Sequence, residues 1–523
     1  MKRYFGIILI FVLVLTCVAC SADGGGEMTD ENSSRIVYDA AQKLYYISNG
    51  DGTCGVMGCK DTWGDVVIPD SYGDEKVVEI KNDAFVYCVD LTSVVIPDSV
   101  TVIGENAFAR CKNLASVVIP DGVARIDCRA FYGCDNLTSI DLPDSVETIG
   151  DRAFYDCTAL TSLNIPDGMT KIGKETFCGC SGLTSLKISD SVTEIGESAF
   201  RGCRGLSEIV IPDGVEYIGK GAFYECSLDS VVIGKGVKKI DGMAFGAKSV
   251  TLPDGITKIW DHAFNGCHEL ESITIPDSVT AIGDSAFKNC RFTEFTIPEG
   301  VTSIGNGAFS DCYDLKEIVI PNSVTSIGSS AFDCCYGLTE IIIPDGVTSI
   351  GDGAFWGCVN LKEIVISDGV TSIGGSVFKR CRGLTSVTIP DSVTTIGKNA
   401  FEDCTSLRMI TIPASVTLTD RTSFAGCKDL TVVFCKFNEN MTRFLSLGEP
   451  VSVVIREGVG SIPWNAFFES PGLVSLTIPA SVTKINEKAF KECPNLTDIY
   501  FAGTEEQWKS FGVTFNGTVH YIN

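Results

Sequence analysis

The side chains in this sequence that are best suited to chemistry belong to its 24 cysteines. Sixteen of them occupy one repeated position, three residues after a recurring phenylalanine, from Cys88 to Cys493. Cysteines can form disulfides, bind metal ions or fill a core as small apolar residues. A zinc site needs four ligands that converge on one point, whereas a single repeated position sets thiols in a line. We therefore predict a column of buried free thiols, with no metal and no cofactor.

Two further cysteines, Cys54 and Cys59, precede this column and follow a different spacing. They stand close together in the sequence, as the two ends of a small covalent loop would. A local disulfide between them and a pair of separate thiols are both compatible with the sequence.

Acid–base and nucleophilic chemistry has little support. The chain has only three histidines, His262, His268 and His520, and no nucleophile turn of the GxSxG type lies near them. Aspartates recur after the repeat prolines, from Asp98 to Asp391, but aspartate in that position is typical of a turn. Calcium requires six to eight oxygens around one point, which a row of turns does not supply. We expect no catalytic residue; a carbohydrate-active enzyme is the third and most distant hypothesis.

Phenylalanines recur at intervals close to 23 residues along almost the whole chain, and one copy of the repeat has the form LxxVxIPDxVxxIGxxAFxxC. The recurring phenylalanines are Phe85, Phe108, Phe131, Phe154, Phe177, Phe200, Phe223, Phe245, Phe264, Phe287, Phe309, Phe332, Phe355, Phe378, Phe401, Phe424, Phe467 and Phe490. No single copy can bury its own apolar face, so neighbouring copies must stack and share one core.

The copy that begins at Leu384 shows how each part of the unit is expected to fold. Leu384, Val387 and Ile389 match the strand of a leucine-rich repeat, and Pro390 starts a turn because its ring fixes φ. Gly397 is expected to permit the next bend. We predict a β-rich leucine-rich-repeat solenoid of units of about 23 residues, with turns or short 3₁₀ or helical pieces on the convex side.

The IPDSVTSIG and AFxxC blocks resemble the BspA-type leucine-rich repeats of bacterial surface proteins, over roughly residues 64–500. Residues 36–63 are similar to an N-terminal cap and residues 501–523 to a C-terminal cap. Between the caps we predict a main array over 64–436, an interruption over 437–450 and terminal repeats over 451–500. The register stays open in the irregular units 246–264 and 436–450.

The beginning of the chain has the pattern of an export signal. Basic residues precede an apolar run that is too short to span a bilayer, and two cysteines follow among small residues. The segment around Cys20 resembles a bacterial lipobox, which implies a lipoprotein signal over 1–19, lipidation at Cys20 and a flexible tether over 20–35. The segment departs from the motif at Cys17, where leucine is usual, so plain cleavage of the signal and lipidation at Cys17 are the alternatives. We expect a lipid-anchored protein at the bacterial cell surface.

The charge of the chain excludes one class of partner. The formal net charge is -25, and it becomes -27 once Lys2 and Arg3 leave with the signal. Such a surface repels the phosphate backbone of nucleic acids and favours basic partners. We expect a monomer that meets extracellular proteins or glycoproteins, touching the membrane only through its lipid.

Strand positions three and five should point outward, because side chains alternate along a strand. The third position holds serine from Ser93 to Ser185 and Glu208 in the next copy. Later in the chain it holds a stack of four glutamates, with aliphatic residues in the fifth position beside them. This candidate binding strip comprises Glu294, Glu317, Glu340, Glu363, Val319, Ile342 and Val365. Like charges at strand spacing repel unless Lys316, Lys362 or a ligand relieves them. Filler residues with high β propensity are the alternative reading of both columns.

The residue after the recurring phenylalanine is aromatic in several copies, among them Tyr132, Tyr155, Tyr224 and Trp356. These side chains are candidates for exposed contacts with protein or glycan, with packing between coils as the alternative. The main hypothesis for function is binding or adhesion to matrix, mucosal or cell surfaces through the outward strand face. The second is a structural spacer of the envelope without a ligand of its own, since near-identical repeats offer little variety for recognition.

Overall fold

A computed structural model describes residues 35–60, 64–420, 422–436 and 450–522, and in it the order of strands and turns repeats once per sequence unit. In the unit that begins at Leu384, the strand Ser386–Thr388 leads into a turn in which Val393 N donates to Pro390 O over 3.1 Å. A second strand, Thr395–Ile396, precedes the loop that carries the phenylalanine and the column cysteine. The predicted β-rich repeat solenoid is confirmed, and its connections in the described residues are turns.

The first strands of most coils lie in a row of parallel strands that we call the front sheet, and hydrogen bonding divides this row into six groups of two to six strands. Equivalent residues of adjacent copies face each other in this sheet, so the repeat spacing sets the register. Its strands are Gly64–Val67, Leu91–Val95, Ser116–Val118, Ser162–Asn164, Ser185–Lys187, Glu208–Ile211, Phe223–Ile233, Phe245–Thr251, Ser272–Thr274, Glu294–Thr296, Glu317–Val319, Glu340–Ile343, Glu363–Ile366, Ser386–Thr388, Met409–Ile412, Leu430–Phe434, Val451–Ile455, Leu473–Ile478, Asp498–Phe501 and Thr518–Tyr521.

The second strand of each coil joins another parallel row, which we call the second row. Most of its members are two residues long, because the turn after the front strand and the glycine before the loop leave little room between them. They are Glu75–Ile80, Val102–Ile103, Arg125–Ile126, Thr148–Ile149, Lys171–Ile172, Glu194–Ile195, Tyr217–Ile218, Lys239–Ile240, Lys258–Ile259, Ala281–Ile282, Ser303–Ile304, Ser326–Ile327, Ser349–Ile350, Ser372–Ile373, Thr395–Ile396, Leu418–Thr419, Ser461–Ile462 and Lys484–Ile485.

Stacked phenylalanine rings fill the core behind the third side of the coils. The rings of Phe309, Phe332 and Phe355 are fully buried and nearly parallel, with centroids 5.4 and 5.3 Å apart. Offset stacks at this distance are favourable beyond the apolar area that they bury. Backbone hydrogen bonds also join neighbouring coils on this side. Phe332 N, for example, donates to Ala354 O in the next coil over 2.7 Å. Each coil therefore contacts its neighbour on all three sides.

The glycine that ends the second strand is needed for close packing. A Cβ atom at Gly397 would lie 2.7 Å from the carbonyl carbon of Gly374, and its φ is not positive. The expectation that Gly397 permits a bend through its backbone freedom is therefore wrong. The left-handed bend comes two residues later at Asn399, whose φ is 59°.

The two irregular units keep the front sheet intact. Where the repeat is short, the strand Phe223–Ile233 extends back to its phenylalanine and pairs with Phe245–Thr251, with an irregularity between Phe223 and Leu228. On either side of residues 437–449, Leu430–Phe434 pairs directly with Val451–Ile455, and Leu430 faces Val451. The register that the sequence left open is thus continuous along the front sheet at both places.

The N-terminal end of the solenoid is covered by an antiparallel set of strands, which we call the N-terminal hairpin. It consists of Ile36–Asp39, Leu44–Ser48 and Thr53–Cys59, and its last strand runs parallel to Glu75–Ile80. The short strand Ser71–Tyr72 pairs antiparallel with Glu75–Ile80. End coils of a solenoid expose core unless such a segment covers them.

The C-terminal end carries one short helix, Glu505–Ser510, between two parallel front-sheet strands. Thr504 and Gln507 form a capping box at its start, which satisfies backbone N–H groups that the helix leaves open. The rings of Trp508 and Phe511 pack against Phe501 at 5.8 and 5.7 Å. Within the described parts of the chain, no helix is long and apolar enough to span a bilayer.

Candidate binding surface

The front sheet presents the outward strand positions predicted from the repeat. In the strand Glu340–Ile343, Glu340 and Ile342 are exposed while Ile341 and Ile343 are buried. The pattern follows from the alternation of side chains about an extended backbone. Positions one, four and six therefore fill the core, and positions three and five form two parallel columns on the surface.

The four glutamates of the third position form what we call the acidic strip: Glu294, Glu317, Glu340 and Glu363. Glu294 faces Glu317 across one strand pair, and Glu340 faces Glu363 across another. All four are exposed. Among the ion pairs of the described residues, none joins Lys316 or Lys362 to this strip. The carboxylates thus repel one another and face solvent, where a cation of a partner can approach them.

Three aliphatic side chains of the fifth position run beside the acidic strip, and we call them the aliphatic strip: Val319, Ile342 and Val365. Their exposed fractions are 52%, 67% and 46%. Ile342 and Val365 face each other across adjacent strands. A contiguous exposed apolar row next to charges is typical of contact surfaces between proteins.

Two tyrosines that the sequence reasoning missed belong to the same coils. The rings of Tyr313 and Tyr336 stack with centroids 5.0 Å apart, and both remain exposed, at 46% and 41%. Each stands directly after a column cysteine and four residues before a glutamate of the acidic strip. Their signal was available in the sequence as a pair of aromatics at one repeat position in adjacent copies. We call them the tyrosine pair.

The aromatic residues after the recurring phenylalanines are all half-buried. Tyr132 and Tyr155 stack on each other at 5.1 Å, and the Arg110 guanidinium lies 5.1 Å from the centre of the Tyr132 ring. Arg201 lies over Tyr224 in the same way, at 5.4 Å. Trp356 is half-buried, and its Nε1 atom is buried without a hydrogen-bond partner within the described residues. These contacts between coils account for the aromatic character of the position.

The column cysteines from Cys111 to Cys427 lie in the core, as predicted. Their thiols donate to the backbone carbonyl of the recurring phenylalanine one coil earlier, for example Cys335 to Phe309 over 3.2 Å. Burial raises the pKa of the Cys312 thiol to about 12, so this group stays protonated near neutral pH. A protonated, buried thiol is a poor nucleophile and a poor metal ligand.

Cys54 and Cys59 do not meet, so the local disulfide between them is wrong. Both belong to the extended strand Thr53–Cys59, in which five residues span roughly 16 Å, far beyond the reach of a disulfide. Cys54 is buried and its Sγ lies 3.9 Å from Glu75 O. The Sγ atom of Cys59 instead lies 3.9 Å from that of Cys88.

Two of the histidines, His262 and His268, lie in one loop between Lys258–Ile259 and Ser272–Thr274, and His520 lies in the last front strand. His262 Nδ1 lies 3.4 Å from Asn265 Nδ2, and His520 Nε2 lies 2.7 Å from Asp498 Oδ1. His268 borders an open cleft of about 450 Å³ where the repeat loops shorten, together with Lys248 and Arg291. Across the residues described by the structure, no group of three or more His, Cys, Asp or Glu side chains is arranged to hold a metal ion.

Comparison with family models identifies the repeat. The family model described as "BspA type Leucine rich repeat region" matches residues 78–180, 125–249, 246–362, 348–447 and 440–515. A leucine-rich repeat protein from Bacteroides ovatus is 26% identical, with 96% of this chain and 100% of that chain covered and a TM-score of 0.40. A leucine rich cell surface protein from Faecalibacterium prausnitzii is also 26% identical, with 95% and 100% covered and a TM-score of 0.27. No curated protein matches the chain in sequence.

Proposed function

The chain belongs to the BspA-type leucine-rich-repeat family, and on that premise we propose that it is an exported protein that binds other proteins through its front sheet. The observation that carries the proposal is the unpaired acidic strip beside the exposed aliphatic strip. Members of this family are bacterial surface proteins, and repeat solenoids of this kind offer an extended face for recognition.

The chemistry of this face favours a basic segment of a partner protein. Carboxylates repeated at strand spacing, close to 4.8 Å, can each receive a lysine or arginine side chain from an extended chain. The aliphatic strip supplies apolar contact in the same register. The exposed rings of the tyrosine pair add faces for guanidinium or ammonium groups. Together these side chains form a surface about four coils long that suits alternating basic and apolar residues.

The overall charge supports the same kind of partner. A net charge near -27 accelerates the approach of basic proteins at low ionic strength and keeps copies of the chain apart. We therefore propose a monomer, with basic extracellular proteins or glycoproteins of a host or of neighbouring cells as partners. Adhesion to such surfaces is the biological role that this binding would serve.

Anchoring by lipid at Cys20 is part of this proposal, although that residue lies outside the described part of the chain. A lipid there, followed by a tether, would hold the front sheet outside the cell. Metabolic labelling with a palmitate analogue in a bacterial host tests it. Label that is lost in Cys20→Ala and kept in Cys17→Ala supports the site, and the opposite pattern moves the lipid to Cys17.

The binding proposal is tested by removing the acidic strip at constant fold. A triple variant, Glu317→Ser, Glu340→Ser and Glu363→Ser, places at these positions the residue that Ser386 already provides in the same column. Surface plasmon resonance against immobilised polylysine, basic matrix proteins and mucins should show an affinity at least about tenfold weaker than that of the unmodified chain.

A matched control separates the strip from the effect of net charge. Asp277→Asn, Asp345→Asn and Asp391→Asn also remove three charges, at turn positions where Asn322 already stands in one copy. This control should keep most of the affinity. Equal losses of affinity in both variants would show that binding depends on net charge and not on the acidic strip.

A spacer without a ligand of its own is the second candidate. The near-identity of the coils outside the acidic strip favours it, because the third position is serine through several successive copies. No saturable binding of the unmodified chain to any member of a broad panel would support the spacer over the binding protein.

A further inference from the structure

The first thiol of the cysteine column has a different partner from the thiols that follow it. From Cys111 to Cys427, each column thiol with a described bond donates to the carbonyl of a phenylalanine in the preceding coil. Cys88 is the first member of the column, and no recurring phenylalanine precedes it by one coil. The residue that meets its thiol is Cys59, with 3.9 Å between the two Sγ atoms.

The two thiols belong to different parts of the molecule. Cys59 ends the last strand of the N-terminal hairpin and faces Leu44 across it. Cys88 lies in the loop of the first coil, where its backbone N donates to Phe85 O over 3.1 Å. Both are only partly buried, in contrast to Cys111, which is fully buried. A soluble oxidant can therefore reach this pair more easily than it can reach the buried column thiols from Cys111 to Cys427.

We propose that Cys59 and Cys88 are a redox-active pair whose disulfide fastens the N-terminal hairpin to the first coil. A disulfide has a sulfur separation of about 2.05 Å, so the two side chains must rotate toward each other from the 3.9 Å at which their Sγ atoms lie. The pair spans 29 residues of chain, so the bond would restrict the unfolded hairpin strongly. Cys203 and Cys226 also interact through their side chains, but both are buried in the core, where an oxidant has little access.

The chemistry requires a disulfide oxidant, for example glutathione disulfide. The Cys59 thiolate attacks one sulfur of the oxidant, forms a mixed disulfide and releases one thiolate, which takes up a proton. Cys88 then attacks the Cys59 sulfur, the mixed disulfide breaks and the second small thiol leaves with the Cys88 proton. Two protein thiols are oxidised and one small disulfide is reduced to two thiols. The balance is the same if Cys88 attacks first, since the two thiols then exchange roles.

Peptide mapping of the full chain tests the pair directly. The reduced protein is incubated with glutathione disulfide, blocked with N-ethylmaleimide and digested with trypsin without reduction. The expected product joins the peptide from Leu44 to Lys60 to the peptide from Asn82 to Arg110, at the sum of their masses less two hydrogens. Fragmentation of the first peptide distinguishes Cys59 from Cys54. A glutathione adduct at exposed Cys128 shows in the same sample that the oxidant has acted.

Hydrogen exchange then measures what the bond does. Amides of the N-terminal hairpin should exchange several-fold more slowly after oxidation, while Cys59→Ser should show no such change. The variant need not fold as well as the parent, because the mapping of the unmodified chain stands alone. Separate adducts on Cys59 and Cys88, a link from either to another cysteine, or two intact thiols beside a modified Cys128 would each overturn the proposal.

Discussion

The thiol of Cys111 donates a hydrogen bond to the carbonyl oxygen of Phe85, with 3.0 Å between the sulfur and the oxygen. The same bond recurs between Cys134 and Phe108, at 3.2 Å, because both partners keep their places in every full repeat. One side chain thus fills core volume and also satisfies a backbone carbonyl at the junction of two coils. This dual contact explains why a cysteine suits the position better than an alanine, which could not donate.

Native alkylation should separate the cysteines by their position in the repeat. We expect N-ethylmaleimide to modify exposed Cys128 at least about a hundredfold faster than buried Cys312, because the thiolate is the reactive form and burial keeps Cys312 protonated. Mass spectrometry of timed samples gives both rates in one experiment. Unfolding in urea should make the two rates similar. Equal rates in the folded protein would show that the column is open to solvent.

Stability should fall at alkaline pH, owing to the same thiols. Burial raises the pKa of Cys267 and of Cys312 to about 12, whereas an unfolded cysteine titrates near 8.5. The folded state therefore holds protons that the unfolded state releases, so their contribution is fully present below about pH 8.5 and is lost as pH rises toward 12. The thermal midpoint, followed by circular dichroism from pH 7 to pH 11, should decline through this window. In Cys312→Ala the decline should be shallower, and an unchanged slope would exclude the thiol.

Most of the fold could be predicted because the same pattern of apolar and polar positions recurs in many copies. The inward positions, such as Leu384 and Val387, and the outward positions, such as Glu340 and Ile342, follow from alternation along a strand. The role of Gly397 could not be predicted in the same way. A glycine that is needed for close packing and one that is needed for a bend look identical in a sequence, and the bend falls on Asn399.

The candidate site was predicted in part. The acidic and aliphatic strips could be predicted, because each occupies one strand position that repeats from copy to copy. The structure adds the tyrosine pair, which belongs to a loop position outside the strand pattern. The meeting of Cys59 with Cys88 depends on how the N-terminal hairpin folds over the first coil. The N-terminal hairpin contains no copy of the repeat, so its strand register and its contacts do not follow from the repeat spacing.

Removing one ring from the phenylalanine stack should be costly. Phe332 is fully buried between Phe309 and Phe355, and we expect Phe332→Ala to lower the unfolding free energy by about 3–5 kcal/mol. Denaturation in urea, followed by circular dichroism, measures the loss. Tyr336→Ala in the same coil is the control, since that ring is 41% exposed and its removal should change stability by less than about 1 kcal/mol. Similar losses for both would contradict a core role specific to the stack.

Repulsion within the acidic strip should make the stability of the protein depend on salt concentration. Glu340 faces Glu363 across adjacent strands, and like charges in that arrangement destabilise a sheet by a few tenths of a kcal/mol or more. We therefore expect Glu340→Ser to raise the thermal midpoint slightly at low ionic strength. At 1 M salt the screening length falls to about 3 Å, so the gain should shrink. Asp345→Asn, at an exposed turn position of the same coil, should not reproduce the gain. A lower midpoint for Glu340→Ser at low salt would mean that the glutamates stabilise the free protein. That result would contradict the view that they repel one another until a basic partner binds.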